Sequence, residues 1–284
     1  MRVFSFQFSV FSLIAAALIG SAGAEPLDVT LVSEVTSIKP GAPFYVGLQL
    51  KHAPGYHTYW EFPGIVGVPT GIEWQLPPGF TAGEIEWPEP HRVMMYQIKA
   101  QGYEGDVLLP VKITPPKNLP VGTKVQLQGK AGWMCCGREC NPDFKNLSIT
   151  LPVMDEAPRF DEAQHLKFEQ VRNSVPKPLV GWKASARRKD GIVELKLVAE
   201  SDEAKTRAES IKEIIFFTDD GLINADKEQT IAKPAPGELI MKLIVSEYAE
   251  HPDARELRGI LQTPEGWSKD GSVRSVIIHA NINE

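Results

Sequence analysis

The chain has 284 residues, 43% of them hydrophobic and 23% charged, a globular balance that suits one large or two ordinary domains. Its formal net charge of -6, with no basic stripe, argues against nucleic-acid binding. No internal run approaches the roughly 20 apolar residues that a membrane span needs, so the mature chain is expected to have none.

Residues 1–24 read as a secretory signal: Arg2 supplies the positive start, Val10 to Ile19 an apolar stretch, and Ala22-Gly23-Ala24 a small-x-small cleavage site. Removing Arg2 takes the net charge from -6 to about -7. No cysteine stands directly after the apolar stretch, which argues against a lipid anchor. The expected location is periplasmic or secreted, after cleavage near Ala24, and disulfides persist in such compartments.

Leu27 to Thr36 alternates apolar and polar residues, as a half-buried strand does, and Phe44 to Lys51 reads as a second strand after the Pro40-Gly41 turn. His52 to Met95 is dense in Pro, Gly and aromatics and reads as short strands joined by ordered loops. Val107 to Thr114 is a strand in which Pro110 points to an edge position or a bulge. Lys124 to Ala131 is a strand that delivers the chain into Trp133 and the cysteines, and Leu147 to Val153 closes the unit. Many short strands with Gly/Pro turns make the chain mainly β, beginning with a β-sandwich.

Met154 to Pro158 reads as a linker, and Asp161 to Asn173 as a helix capped by Asp161. Lys189-Asp190-Gly191 carries the Asp-Gly hairpin signal. Ile192 to Ala199, Ile211 to Thr218, Glu238 to Ser246, Leu257 to Leu261 and Val273 to Ala280 read as strands. The expected division is a signal over 1–24, a cysteine-bearing sandwich over 25–155, and a second, smaller β-sandwich-like domain with a leading helix over 156–284.

All three cysteines lie in Trp133-Met134-Cys135-Cys136-Gly137-Arg138-Glu139-Cys140-Asn141-Pro142. A short loop brings Cys136 and Cys140 within disulfide reach. It closes so small a ring that the bond is a weak staple, better suited to being made and broken. Arg138 between the sulfurs favours a thiolate, and Glu139 opposes it. The competing reading is an inert structural disulfide, and a Cys135–Cys140 bond is as feasible by reach. Cys135 left over suits a buried small hydrophobe. Cys135, Cys136 and Cys140 together, beside Met134, would suit Cu(I) as three soft ligands. Zinc lacks a fourth ligand at ordinary spacing, and no other cofactor is called for. Of the histidines, His57 and His91 stand out by lying in the aromatic segment. No hydrolase, phosphate-loop or dinucleotide motif occurs.

One series of residues resembles a known family. It runs Gly55-Tyr56-His57-Thr58-Tyr59-Trp60, Pro63-Gly64, Gly67-Val68-Pro69-Thr70, Trp87-Pro88-x-Pro90, Gly102-Tyr103, Val107-Leu108-Leu109-Pro110-Val111 and Trp133-x-x-Cys136-x-x-x-Cys140-x-Pro142. The series is similar to the N-terminal periplasmic region of the disulfide-interchange reductases of the DsbD and ScsB type, the latter named for suppression of copper sensitivity. Phe216-Phe217, Asp220-Gly221 and Gly259-Ile260-Leu261 suit the second immunoglobulin-like domain of the ScsB type.

The resemblance implies an immunoglobulin-like fold and a redox pair, Cys136 and Cys140, in which Cys140 meets the partner. It implies thioredoxin-fold periplasmic partners and a membrane electron-transfer protein, within electron transport of the kind that serves cytochrome c biogenesis. The resemblance implies a shielding segment over the cysteines, which falls by position near His91 to Tyr96, with Met94, Met95 and Tyr96 where the family's loop carries acidic and aromatic residues. Family members fuse this region to membrane and thioredoxin-like domains, which this sequence lacks, so it is expected to act as a stand-alone domain. The resulting expectation is a thiol-disulfide oxidoreductase or electron shuttle, with copper handling or a non-catalytic adaptor as the alternatives.

Overall fold

The computed structural model describes residues 25–283, and the signal segment expected over residues 1–24 lies outside them. The first half of the chain builds two antiparallel sheets. One is four-stranded, in the order β1 (Leu27–Ser33), β2 (Phe44–His52), β8 (Asp106–Thr114), β5 (Thr81–Ile85). The other is six-stranded, in the order β10 (Cys140–Pro152), β9 (Lys124–Cys136), β3 (His57–Tyr59), β7 (Ile98–Glu104), β6 (His91–Met95), with β4 (Gly71–Gln75) also paired to β9. They pack face to face as an immunoglobulin-like sandwich. Alternate residues of each strand point inward, so Leu48, Leu50 and Leu109 of one sheet meet Ala131, Trp133 and Tyr103 of the other.

Of the two readings of Pro110, an edge position or a bulge, the structure keeps the second: β8 lies between β2 and β5, and the β5–β8 register slips beside Pro110. Its carbonyl accepts from Glu86 N, just beyond the end of β5, so its missing N–H falls on the side where β5 has slipped register between Ala82 and Ile85. The final strands are also longer than their apolar patterns suggest. β9 runs on from Ala131 to Cys136, and β10 begins at Cys140, so the cysteines close a hairpin instead of occupying a loop.

Helix α1 (Glu162–Ser174) is capped by Asp161, whose side chain accepts from Gln164 N. It lies on the first sandwich. Phe168 is fully buried, close enough to β2 that a Cβ on Gly47 would stand 3.1 Å from its ring. Glu34, also buried, pairs with His165 and Arg172 of the helix.

The second half pairs β14 (Ile215–Thr218), β17 (Glu256–Gln262), β18 (Ser275–Asn283), β12 (Trp182–Lys189), β13 (Ile192–Ala199), β16 (Glu238–Ile244) and β15 (Thr230–Ala232) in that order, with β11 (Lys177–Pro178) beside β18. The start of β18 pairs with β17, while Ile282 and Asn283 at its end pair with β12. The sheet therefore turns on β18, and both halves share one core. Asp190 and Gly191 have φ of 50° and 74°, as the expected two-residue hairpin turn requires. The strand expected from Ile211 begins only at Ile215. Before it stands a helix the apolar pattern concealed, α2 (Asp202–Ser210), capped by Ser201 and burying only Ala204 and Ala208.

The halves are joined by packing and by side-chain hydrogen bonds, among them Ser275 Oγ to Glu89, Gln262 Nε2 to the Pro90 carbonyl and Lys99 N to Asp226. Phe217 and Ile260 enter the first core, where Phe217 meets Trp60 edge-on. The buried Gln101 amide donates to the Phe62 and Thr218 carbonyls and accepts from Thr218 N, standing in for a strand partner. Among the described residues no helix is long and apolar enough to cross a membrane.

Candidate redox site

β9 alternates down its length, with Val125, Leu127, Ala131, Trp133 and Cys135 turned into the sandwich. Cys136 must then face outward, yet it is only 1% exposed. The cause is a cover over this part of the outer face. Tyr59, Val93 and Ala100 lie around Cys136, with Val66 packed against them. The Pro63–Thr70 segment crosses Tyr59 so closely that a Cβ on Gly67 would stand 2.4 Å from its ring, and Gly67 has a φ of 100°.

The β9–β10 register sets Cys140 directly opposite Cys136, and the two form a disulfide with Cα atoms 4.1 Å apart. Directly opposed residues share a face, so the bond lies on the outer face. Cys140 is half-buried and begins β10, an edge strand paired only to β9. Cys140 is therefore the more accessible of the two sulfurs. The two residues are 4 apart in sequence. In the chain-entropy treatment so small a ring contributes roughly 2 kcal/mol, against about 4.7 kcal/mol for a 100-residue loop.

A polar chain ends on Cys136. The Tyr59 hydroxyl donates to Cys136 Sγ at 3.1 Å and lies 3.3 Å from His57 Nε2. All three side chains are buried, and His57 is the β3 residue that pairs with Cys136. Burial first, and Cys135 second, push the Tyr59 pKa up to about 12, so the hydroxyl keeps its proton and stays a donor. Burial lowers the His57 pKa, which favours a neutral ring. Tyr56 lies over the turn, where a Cβ on Gly137 would stand 2.6 Å from its ring.

The other residues singled out in the sequence separate by face. Cys135, one position from Cys136, points the opposite way. It is a free, buried thiol in the sandwich core, 3.9 Å from the Pro26 carbonyl, with its pKa pushed up to about 11 by burial. Trp133 lies in the same core. Strand alternation sends Cys135 to one side of the sheet and the bonded pair to the other. Arg138 and Glu139 are exposed in the turn. His91 is exposed at the start of β6, and Tyr96 is 73% exposed in the β6–β7 turn with a φ of 56°. Met95 is half-buried, and the residues this hairpin sets in the cluster with Cys136 are Val93 and its cross-strand partner Ala100. Tyr59 is visible in the sequence only as part of the Gly55 to Trp60 series, with no role assigned to it, and Val66 carries no signal of its own. They reach the site only because β3 pairs with β9 and the following loop folds back.

Residues 24–152 match the family described as thiol:disulfide interchange protein DsbD, N-terminal. The N-terminal periplasmic domain of ScsB from Proteus mirabilis has the same fold, with a TM-score of 0.59 at 17% identity over 90% of this chain and 94% of that one. A protein of unknown function from Porphyromonas gingivalis W83 aligns over 90% of this chain and 99% of its own, at 11% identity and a TM-score of 0.25. The sporulation control protein Spo0M from Bacillus subtilis aligns over 89% of each chain, at 11% identity and a TM-score of 0.23. No curated protein matches the chain.

Proposed function

From the match of residues 24–152 to the family described as thiol:disulfide interchange protein DsbD, N-terminal, we propose that the Cys136–Cys140 bond is a redox centre that exchanges disulfides with thioredoxin-fold proteins outside the cytoplasm. The observation that carries this is the asymmetry of the pair: Cys140 is half-buried on an edge strand, while Cys136 is buried with a hydroxyl on its sulfur.

A donor thiolate attacks Cys140 Sγ in line with the S–S bond. That bond breaks, and its electron pair stays on Cys136 Sγ, where the Tyr59 O–H stabilises the developing thiolate. The donor's second thiolate then attacks its own sulfur in the mixed disulfide and releases Cys140. Two electrons enter the pair, two protons come from solvent, and the donor leaves as a disulfide. Run in reverse, Cys140 attacks an acceptor disulfide and Cys136 resolves the mixed bond. No cofactor takes part. Residues 1–24 serve as an export signal that brings the pair to the periplasm, and a membrane electron-transfer protein supplies the reducing equivalents.

Redox-buffer titration with thiol trapping tests this. A Cys136–Cys140 potential between about -180 and -270 mV is expected for an exchange centre. A value below about -300 mV marks a structural bond and overturns the reading in favour of an adaptor. Cys136→Ser is expected to accumulate a mixed disulfide with a thioredoxin-fold partner through Cys140, and Cys140→Ser is not.

A further inference from the structure

The cover over the outer face stops short of β9's midpoint. Beyond it, between the end of the covering segment and β10, lies an open groove of about 530 Å³. Its walls are Val68 and Pro69 on one side and Phe144 on the other, with Val68 47% and Phe144 61% exposed. Its floor is Gly71 and Gly132, which are paired to each other, and Phe144 is the β10 residue opposite Gly132. Nothing inside the protein requires glycine at either floor position. Neither has a positive φ, a Cβ on Gly71 meets no atom within 4 Å, and one on Gly132 meets only the Asp143 carbonyl at 4.0 Å. The bare backbone leaves room above the sheet, not within it.

The groove lies on the same face as the disulfide. Along the hairpin the outward pairs run Cys140 with Cys136, Pro142 with Met134, then Phe144 with Gly132. Four residues of strand separate the disulfide from the groove floor, about 13 Å at the usual rise. Any chain whose sulfur reaches Cys140 along this strand direction passes over the groove four residues later. The stretch between holds no charged outward side chain in β9 or β10. The charges lie at the far end, where Glu73 and Lys130 are cross-strand partners of opposite sign and the Lys130 ammonium sits 4.2 Å over the Phe144 ring.

We propose that this groove seats an extended, uncharged apolar segment of the thioredoxin-fold partner, about four residues from its reactive cysteine, with the partner's backbone over Gly71 and Gly132. Close backbone approach needs a floor without side chains, and the apolar walls bury what the partner brings. The inference rests on the exchange reading above, and it assigns the surface that selects a protein partner over a small thiol.

The test compares two reductants of the oxidised full chain, reduced thioredoxin and dithiothreitol, by stopped-flow rates. Gly132→Leu fills the floor and Phe144→Asp charges a wall. Each is expected to slow the thioredoxin reaction at least tenfold and to leave the dithiothreitol rate within twofold of wild type. Gly132→Ala, whose Cβ fits the open space, keeps both rates and shows that the fold tolerates the position. If both rates fall together, or neither falls, the groove plays no part in docking and the inference is overturned while exchange stands. If wild type reacts with thioredoxin no faster than with dithiothreitol, both readings fall. If Phe144→Asp converts a wild-type dimer to a monomer in sedimentation, the occupant is a second copy of the chain and the inference is overturned.

Discussion

Tyr59→Phe isolates the hydrogen bond on the leaving sulfur. The change keeps a ring that is fully buried beneath Gly67, so the cover over Cys136 stays in place. It removes the 3.1 Å bond to Cys136 Sγ and the partner that lies 3.3 Å from His57 Nε2. The second loss costs about 1–3 kcal/mol of folding stability as an unpaired buried group, equally in both redox states, and so cancels from the redox difference. The first acts on the thiolate. A hydrogen bond to a charged group is worth about 1.5–3 kcal/mol, which at 1.36 kcal/mol per unit raises the Cys136 pKa by about 1–2 units. Above that pKa the same loss makes the pair's potential about 30–60 mV more negative. The assay is the pH dependence of Cys136 alkylation in a Cys140→Ser background, which removes the coupled titration of the second thiol. Wild-type and Tyr59→Phe profiles that coincide, in a protein that remains folded, would refute the role given to the hydroxyl.

Three further outcomes concern Cys135 and Glu61. Cys135, with its thiol pushed up to about 11, should resist alkylation at pH 8 in the native oxidised protein and react once the chain is unfolded. Cys135→Ser should cost about 1–3 kcal/mol in denaturant titration, since the hydroxyl is buried in an apolar core, and leave the Cys136–Cys140 potential unchanged. Where the two halves meet, Glu61 has its carboxyl raised to about 7 by burial first and Asp219 second, against the pull of Arg258. Its folded pKa thus exceeds the unfolded value near 4.5, so the folded state binds the extra proton and stability falls as pH rises from about 4.5 to 7. Much of the residue is exposed and solvent screens the effect. The expected result is therefore a melting temperature slightly higher at pH 6 than at pH 8, with Glu61→Gln removing part of that difference; an unchanged slope in the variant would show that other groups set it.

Much of the architecture was legible because it depends on neighbours in sequence. The alternation of Leu27 to Ser33 and of Ile192 to Ala199, the Asp161 cap and the Asp190-Gly191 turn are each satisfied within a few residues, and the structure keeps all of them. The cysteine cluster was equally visible, since its spacing is a property of the chain. α2 was not, because a polar helix that buries two alanines has almost no apolar period to read.

Sequence alone fixed which residues hold sulfur and how far apart they stand. The choice of partner belonged to the fold. Spacing allowed Cys135 or Cys136 to bond Cys140, and the choice was made by the register of two long strands whose polar ends carry no pattern. One step of strand alternation then turned Cys135 into the core and Cys136 outward. The hydroxyl on Cys136 comes from Tyr59, 77 residues away, and the cover from a loop folded back over it. Such contacts are set by which strands pair and which loops close, and those depend on the packing of the whole sandwich, so no local stretch of sequence contains them.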